Sequence, residues 1–105
     1  MATMIPLEHP GIILKEEFLD PMGLTAYRVS KGTGITESTL SKIIKGKLKI
    51  SSVNGLKLAR FFGLSDDYFS RIQMQYDLDK AKTEQKKSLG KIIKFVPKRS
   101  RLLEA

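Results

Sequence analysis

Glycine residues divide residues 1–79 into segments of helix length, and this spacing constrains the fold more than any other feature of the sequence. Within the segments, apolar residues recur three or four positions apart, as Leu14 and Phe18 do, which is the period of a helix with one buried face. A glycine at the end of such a segment is typical of the left-handed residue that ends a helix. The segments end at Gly23, Gly34, Gly46 and Gly63. The sequence therefore predicts an all-α fold.

Residues suited to the first position of a helix predict where the helices begin. Serine and threonine accept a hydrogen bond from a free backbone N–H group there, and proline lacks the N–H group that would otherwise be unpaired. The five predicted helices begin at Pro10, Thr25, Thr36, Ser51 or Ser52, and Ser65, and the fifth carries apolar residues as far as Leu78. Gly32 is expected to end the second helix together with Gly34, and Gly55 inside the fourth is expected to mark close packing. We therefore expect a compact domain of five helices.

Positive charge is concentrated near the C-terminal end of the sequence. The 105 residues carry a net charge of +8. Residues 80–105 contain nine Lys or Arg residues against Glu84 and Glu104, a net charge of +7, whereas residues 1–79 are nearly neutral. We therefore predict one domain, residues 1–79, followed by a basic C-terminal extension, residues 80–105. The extension is expected to be loosely ordered, with one short β-prone stretch, KIIKFV, before Pro97.

Two short helices joined by a tight turn at Gly34 and Ile35 form the pattern of a helix-turn-helix motif. The first of these helices offers small residues, Ala26 and Ser30, where the second must approach closely. The second begins with the short polar residues Thr36, Glu37, Ser38 and Thr39 and buries Leu40, Ile43 and Ile44 on its far side. A polar leading end of this kind suits a helix that enters the major groove of DNA. The motif therefore predicts DNA binding, and a helical bundle without a ligand is the alternative.

The leading end of the second motif helix is expected to read base edges. Glu37 can accept a hydrogen bond from a cytosine amino group, Ser38 can donate or accept, and Lys42 can reach a guanine. Threonine caps and the exposed N–H groups of their helices are expected to bind phosphates. The predicted DNA-binding residues are Thr25, Thr36, Glu37, Ser38, Thr39, Lys42, Lys45 and Lys47, with Lys49 as a further phosphate contact and Arg28 and Lys31 on or near the same side. This charge concentration points to a polyanionic partner, and a solvated basic face is the alternative.

The fifth predicted helix is rich in apolar and aromatic residues, of which five short helices can bury only part. We predict that this face lies partly in the core and partly against a second copy of the chain, with Tyr68, Phe69 and Ile72 at the interface of a homodimer. The small size of the domain also favours oligomerisation, because a small domain buries a smaller fraction of its surface. The alternative is that all these residues belong to the core.

The residue types that carry most enzyme chemistry are scarce in this sequence. There is no Cys, and the single His precedes Pro10 at a helix start, which is typical of a local cap rather than a metal ligand. There is no glycine-rich phosphate loop, and the acidic pairs at 16–17 and 66–67 are explained by helix ends and solvent exposure. We therefore expect no enzyme, no metal and no cofactor. Neither a signal peptide nor a membrane partner is expected, since no apolar stretch approaches the ~20 residues that span a bilayer.

At these residues the sequence resembles the XRE-type helix-turn-helix proteins of the HigA/VapI antitoxin group. The resemblance covers about residues 5–79. The stretch HPGIILKEEFLDPMGL resembles the opening of the family, GKLKISSVNGLKLARFFGLSDDYF its fourth and fifth helices, and QMQYDL the end of its fifth helix. The resemblance implies a five-helix, lambda-repressor-like helix-turn-helix domain.

The resemblance also implies a function. It implies a small bacterial repressor that dimerises, binds a palindromic operator in double-stranded DNA, often its own promoter, and neutralises a RelE/HigB-like toxin that cuts mRNA on the ribosome. Aligned on the turn and on Gly46, it assigns the DNA contacts to Thr36, Glu37, Ser38, Thr39 and Lys42. It implies a location in the bacterial cytoplasm, at the nucleoid. Two alternatives stay open: a stand-alone XRE-family transcriptional repressor without a toxin, and an interaction module that works through its aromatic fifth helix.

Overall fold

The structure is a computed structural model, and it describes residues 8–98. Residues 1–7 of the predicted domain and 99–105 of the predicted extension lie outside the described residues. Helix α1 is continuous and consists of Pro10–Leu14, a wider π-helical turn at Lys15–Leu19, and Asp20–Met22. It is followed by α2 (Ala26–Thr33), α3 (Glu37–Ile44), α4 (Ser52–Phe62), α5 (Tyr68–Glu84) and α6 (Lys86–Gly90). The described part of the chain contains no strand, so the predicted all-α class is confirmed.

Side-chain caps begin four of the helices. The hydroxyl oxygens of Thr25, Thr36 and Ser51 accept hydrogen bonds from the backbone N–H groups three residues further on, at 3.1, 3.2 and 3.1 Å. At α1 the cap is His9, whose Nδ1 accepts from the N–H group of Gly11 at 2.9 Å. The predicted caps Thr25, Thr36 and Ser51 are therefore confirmed, and His9 is a local cap, as its position beside Pro10 indicated. The predicted start of the fifth helix at Ser65 is wrong: α5 begins at Tyr68 without a side-chain cap, because residues 65–68 form a turn in which the N–H group of Tyr68 donates to the carbonyl oxygen of Ser65 at 3.0 Å.

The core lies where the first five helices, α1 to α5, meet. Its fully or almost fully buried side chains are Leu14, Leu19, Val29, Ile35, Leu40, Ile43, Ile50, Leu58, Ala59 and Phe69. Phe69 stands at the centre of an aromatic group: its ring centroid lies 5.6 Å from that of Phe18, 6.4 Å from Phe62 and 5.1 Å from Tyr68. The aromatic face of α5 therefore packs mainly inside the monomer.

A backbone contact between α1 and α3 fixes how these two helices meet. Gly11 is buried, and a Cβ atom added there would overlap the backbone carbonyl group of Ile43 in the last turn of α3. Only glycine allows so close an approach of two backbones. The start of α1 therefore supports α3 from behind.

Five helices begin within residues 8–79, as predicted for the domain, and a sixth lies in the extension. Helix α5 continues through the predicted boundary at Asp79 to Glu84, and α6 lies inside the extension that was expected to be loosely ordered. The physical reason is that Lys, Ala and Glu are strong helix formers even where they bury little surface. Lys80 and Glu84, one turn apart, also form an ion pair at 3.9 Å. The β-prone stretch before Pro97 forms neither helix nor strand with the other described residues.

The two glycines inside helices have different surroundings. Gly32 does not end α2, which continues to Thr33 and ends at Gly34, and a Cβ atom at Gly32 would overlap the ring of Phe61. Gly55 is buried in α4, where an added Cβ would lie 3.4 Å from Cβ of Phe69. Gly55 is therefore buried against α5, but an added Cβ would make only ordinary contacts there, so close packing does not require glycine at this position. Gly32 is explained by packing against Phe61 rather than by helix termination.

Two negative findings apply to residues 8–98. None of their helices is both long and apolar enough to cross a membrane. Nor do they contain a group of three or more His, Cys, Asp or Glu side chains arranged to hold a metal ion.

Candidate DNA interface

The turn between α2 and α3 is held by a compact set of hydrogen bonds. Gly34 has a positive φ of 83°, and its N–H group donates to the carbonyl oxygen of Ser30 at 2.8 Å. The hydroxyl of Thr33 donates to the carbonyl oxygen of Val29 at 2.7 Å and accepts from the N–H group of Ile35 at 3.1 Å. The Ile35 side chain is buried. The turn therefore holds α2 and α3 in a defined relation, as a helix-turn-helix motif requires.

Helix α3 presents one polar face to solvent and one apolar face to the core. Leu40 and Ile43 are fully buried. The polar face contains the residues at positions 37, 38, 41, 42 and 45, whose spacing places them on one side of a helix. Glu37, Ser38, Lys42 and Lys45 are exposed, and Ser41 between them is half-buried. The predicted base-reading residues therefore lie together on the outside, and Ser41, which the sequence reasoning missed, belongs to the same face.

The threonines of the predicted interface hold the helix starts. Thr25 and Thr36 are exposed, and each caps its helix through its hydroxyl oxygen. Thr36 also donates to the hydroxyl of Thr39 at 2.9 Å, and Thr39 is half-buried. Because the first N–H groups of a helix have no carbonyl partner within it, those at the start of α3 point forward with a partial positive charge. The exposed start of α3 is thus suited to a phosphate or to the edge of a base.

The loop after α3, residues 45–51, carries three lysines. Gly46, with a positive φ of 75°, ends the helix, and the N–H group of Lys47 returns to the carbonyl oxygen of Lys42 at 2.9 Å. Lys45, Lys47 and Lys49 are exposed. Lys49 Nζ lies 3.8 Å from a carboxylate oxygen of Asp77, whereas Lys45 and Lys47 form no ion pair with any carboxylate in residues 8–98. Their charges are therefore available to an anionic partner.

Arg28 and Lys31 are exposed on α2, and each lies near an aromatic ring. The guanidinium carbon of Arg28 is 5.9 Å from the ring centroid of Phe61, and Lys31 Nζ is 5.4 Å from that of Tyr27. Both are close enough for a cation–π interaction. They add two positive charges to the first helix of the motif.

The loop is also attached to α5 by a residue that the sequence reasoning missed. The side chain of Gln73 accepts a hydrogen bond from the N–H group of Ile50 at 2.9 Å and donates to Asp77 at 2.9 Å. The signal in the sequence is its position four residues after Phe69, which places a polar residue on the buried side of a helix.

The predicted dimer residues occupy different environments. Phe69 is only 1% exposed, so it has no surface to offer a second copy, and its assignment to the interface is corrected to the core. The physical reason is that Phe18, Phe62 and Tyr68 already surround its ring. Tyr68 and Ile72 are half-buried at the edge of this group. Most exposed apolar side chains C-terminal to Ile72 lie towards the end of α5 and beyond it, at Leu78, Leu89, Ile92, Ile93, Phe95 and Val96.

Glu8 and His9 stand before α1, and both have shifted pKa values. The pKa of Glu8 is raised by partial loss of solvent and by the neighbouring carboxylates of Glu16 and Glu17. Burial lowers the pKa of His9, Asp77 opposes this change, and Lys80 adds to it. The ring of His9 also packs edge-on against Tyr76, with centroids 5.3 Å apart. The imidazole is thus held in its neutral, capping form.

Comparison with known proteins agrees with this geometry. The family described as helix-turn-helix matches residues 14–69. Virulence-associated protein I of Dichelobacter nodosus is 36% identical over 89 residues, which are 85% of this chain and 82% of that protein. Antitoxin HigA-1 of Vibrio cholerae is 35% identical over 68 residues, 65% of this chain and 64% of that protein. A solved structure from Pseudomonas aeruginosa, in complex with a 28-base-pair operator DNA, is 25% identical with a TM-score of 0.79 and covers 84% of this chain and 97% of that one.

The matched residues 14–69 contain the whole of α2, the turn and α3, and they extend from the middle of α1 to the start of α5. The match therefore rests on the motif together with the helices that support it. This chain belongs to the XRE-type helix-turn-helix family, in the group that includes the HigA antitoxins and virulence-associated protein I.

Proposed function

We propose that this chain is a sequence-specific DNA-binding antitoxin that represses its own operon and neutralises a RelE/HigB-like, mRNA-cleaving toxin. The observation that carries the DNA-binding part is the exposed polar face of α3, with Glu37, Ser38 and Lys42 turned away from a core formed by Leu40 and Ile43. The function requires binding alone, so no catalytic residue is assigned. Its place of action is the nucleoid of a bacterial cytoplasm.

The proposed contacts divide into base-reading and phosphate-binding residues. Glu37, Ser38 and Lys42 face the base edges, since they form the leading part of the exposed face of α3. The phosphate contacts are assigned to Thr25 and Thr36 at two helix starts and to Lys45, Lys47 and Lys49 in the loop. Thr39 contributes by bracing Thr36, whose hydroxyl bonds to it.

The antitoxin part is supported by the relative from Vibrio cholerae, which carries the name antitoxin, and the repressor part by the operator-bound structure from Pseudomonas aeruginosa. The alternative is a stand-alone XRE-family repressor without a toxin, which would use the same DNA interface. Purification from the native host separates the two, because a small basic protein that co-purifies with the chain supports the antitoxin and DNA alone supports the repressor.

A palindromic operator requires two copies of α3 in twofold relation, so we propose a homodimer. Tyr68 and Ile72 stay candidates at the edge of the aromatic group. A larger apolar surface is offered by the segment 89–96, in which Ile93 is 90% and Phe95 80% exposed. Its backbone from Ile93 onward is not paired with any other described residue, and an unpaired extended segment tends to pair with another chain.

The proposal predicts that Lys42→Ala weakens binding to the DNA upstream of the gene by ~1–3 kcal/mol, measured by fluorescence anisotropy. If Lys42 reads guanine, its replacement by Ala removes two directed hydrogen bonds to that base and weakens binding to the upstream DNA. Binding to a shuffled duplex should change much less. The matched control is Lys15→Ala, which removes an exposed lysine from α1 that is paired with Asp20. An equal loss on both duplexes would contradict base reading by Lys42, and failure of the unchanged protein to prefer the upstream DNA would contradict the proposed function.

A further inference from the structure

Gln73 is the one buried polar side chain of residues 8–98, with 5% of its surface exposed. Burial of an amide is costly unless its donor and its acceptor both find partners. Both do: Oε1 accepts from the backbone N–H group of Ile50, and Nε2 donates to Oδ1 of Asp77, each at 2.9 Å. A polar residue at this position therefore has a specific task that an apolar core residue would not perform.

Both hydrogen-bond partners of Gln73 connect it to the loop of residues 45–51. Ile50 belongs to the loop, and its own side chain is buried in the core. Asp77 approaches the loop from α5, where its second carboxylate oxygen lies 3.8 Å from Nζ of Lys49. The backbone of Ile50, Gln73, Asp77 and the ammonium of Lys49 thus form a connected chain of polar contacts that begins and ends in the loop.

A neighbouring residue shows what Gln73 adds. Gln75 makes the same type of hydrogen bond to the carboxylate four residues further on, from Nε2 to Oδ1 of Asp79 at 2.9 Å. Gln75 is exposed, however, and this hydrogen bond stays within α5. The contact to Ile50, across 23 residues of sequence, is what distinguishes Gln73.

We propose that Gln73 is a positioning residue for DNA binding. It fixes the backbone of the loop at Ile50 and, through Asp77, the direction of Lys49, so that Lys47 and Lys49 are held where they meet phosphates. This inference rests on the proposed function, because it assigns a task to the loop only if the loop contacts DNA. Without the amide, the Ile50 N–H group would lose its acceptor, and the loop lysines would sample positions that do not reach the backbone of the duplex.

The test compares full-length Gln73→Leu and Gln75→Leu on the duplex upstream of the gene, over a series of salt concentrations. Each phosphate contact contributes about 0.9 to the slope of the logarithm of affinity against the logarithm of salt concentration. Gln73→Leu is expected to weaken binding by about five- to thirty-fold and to reduce this slope by about one to two. Gln75→Leu is expected to change neither, since it removes an equivalent surface hydrogen bond.

A polarity-reversed pair provides the rescue. Gln73→Glu combined with Asp77→Asn keeps an acceptor for the Ile50 N–H group and keeps an amide–carboxylate hydrogen bond at the same place, with donor and acceptor exchanged. The amide oxygen that replaces the Asp77 carboxylate stays an acceptor for Lys49 but carries no charge, so this double variant is expected to recover most of the affinity and the part of the slope that depends on the loop backbone. Amide hydrogen exchange provides a second readout, in which the Ile50 amide should exchange faster in Gln73→Leu and return to slow exchange in the double variant.

The results that overturn the proposal differ from those that overturn the proposed function. A Gln73→Leu protein that is folded at the temperature of measurement and binds DNA with unchanged affinity and slope would show that the side chain serves stability only. A Gln75→Leu protein with an equal loss would show that any hydrogen bond on α5 has the same effect. If the unchanged protein fails to bind the upstream duplex, the proposed function itself is overturned, and the positioning role with it.

Discussion

A neutral imidazole begins the first helix, and it does so beside the loop proposed to contact DNA. Nδ1 of His9 can cap α1 only while it carries no proton, because a protonated ring has no acceptor left. A positive ring would also face the positive end of the helix dipole. The charged groups near the ring, Asp77 and Lys80, act on it in opposite directions. Burial is the largest cause of the lowered pKa of His9, so its folded environment favours the neutral form.

This chemistry predicts a dependence of stability on pH. Because the pKa of His9 is lowered from its ordinary value of 6.5, the unfolded chain takes up the proton first as the pH falls. The stabilising contribution of His9 is therefore complete above that value and is lost as the pH drops below it towards the folded pKa. Thermal unfolding followed by circular dichroism at about pH 7.5 and about pH 5.5 should show a larger loss of Tm in the unchanged protein than in His9→Asn.

His9→Asn is informative because asparagine caps a helix well and does not titrate. Glu8, whose pKa is raised, is present in both proteins, so its contribution to the pH dependence of Tm cancels in the comparison. Equal losses of Tm in the two proteins would mean that groups other than His9 carry the pH dependence.

At the scale of elements, the position of α3 depends on the helix behind it. The backbone of α1 touches the last turn of α3 at Gly11 and Ile43, and the end of α3 leads directly into the loop that carries Lys47. The polar face of α3 is therefore held from behind by backbone contact as well as by buried side chains. Any change that separates α1 from α3 should disturb folding and DNA binding together.

We expect Gly11→Ala to lower the free energy of unfolding by about 1–3 kcal/mol, because the added methyl group meets a backbone carbonyl that cannot rotate away. Urea denaturation followed by circular dichroism measures the loss. The matched control is Gly90→Ala in α6, where an added Cβ has no neighbour within 4 Å. There the higher helix propensity of alanine should leave stability equal or slightly higher. Gly11→Ala with unchanged stability would show that α1 can move away from α3 at little cost.

The starts of α1 to α4 and the ends of α2 to α4 were predictable from sequence because they depend on single residues whose local chemistry is sufficient. The start of α5 at Tyr68 was not, because no side chain caps it. Thr36 caps α3 and Gly34 ends α2 in the structure as the sequence predicted. The length of α5 and the existence of α6 were not predictable in this way, since the charged composition of residues 80–90 masked good helix formers. Phe69 illustrates the other limit: a pattern shows that a residue is apolar but not whether the monomer or a partner covers it.

The residues of the candidate interface also differ in how far their placement can be predicted from the sequence. The exposed face of α3 follows from helical periodicity, so the exposure of Glu37, Ser38 and Lys42 could be predicted from the sequence alone. The role of Gln73 could not, because its partner Ile50 lies 23 residues away in sequence and is met only when α5 packs against the loop. Contacts between distant elements depend on packing, which a single sequence does not state.

At the scale of the whole molecule, charge and apolar surface coincide in one segment. Residues 86–98 contain five lysines and no acidic residue, and between them lie the most exposed apolar side chains of the described chain, Ile93 and Phe95. Lysine charge favours DNA, whereas clustered apolar side chains favour contact with another protein surface. The two properties can be separated by substitution, because they belong to different side chains.

We expect the apolar side chains to hold the second copy. The variant Ile92→Ser/Ile93→Ser/Phe95→Ser keeps every lysine and should be monomeric at micromolar concentration in light scattering after gel filtration. It should also bind the upstream duplex more weakly, because a monomer binds one half-site at a time and lacks the affinity that a dimer gains by binding both half-sites together. Because these side chains are exposed, the substitutions should leave the fold of the monomer intact, and circular dichroism checks that the helices are retained.

The matched control is Lys91→Gln/Lys94→Gln/Lys98→Gln, which removes three charges from the same segment and keeps its apolar side chains. It should remain dimeric. If the segment also binds phosphates, the salt dependence of binding should fall by up to about 0.9 for each phosphate that is no longer neutralised, with the dimer intact. If the variant with three serines stays dimeric, the assignment of the dimer interface to this segment is contradicted. The interface would then be assigned to the edge of the aromatic group, where Tyr68 and Ile72 are half-buried. Since a palindrome presents two equal half-sites, the choice between these surfaces determines how far apart the two copies of α3 stand on the duplex.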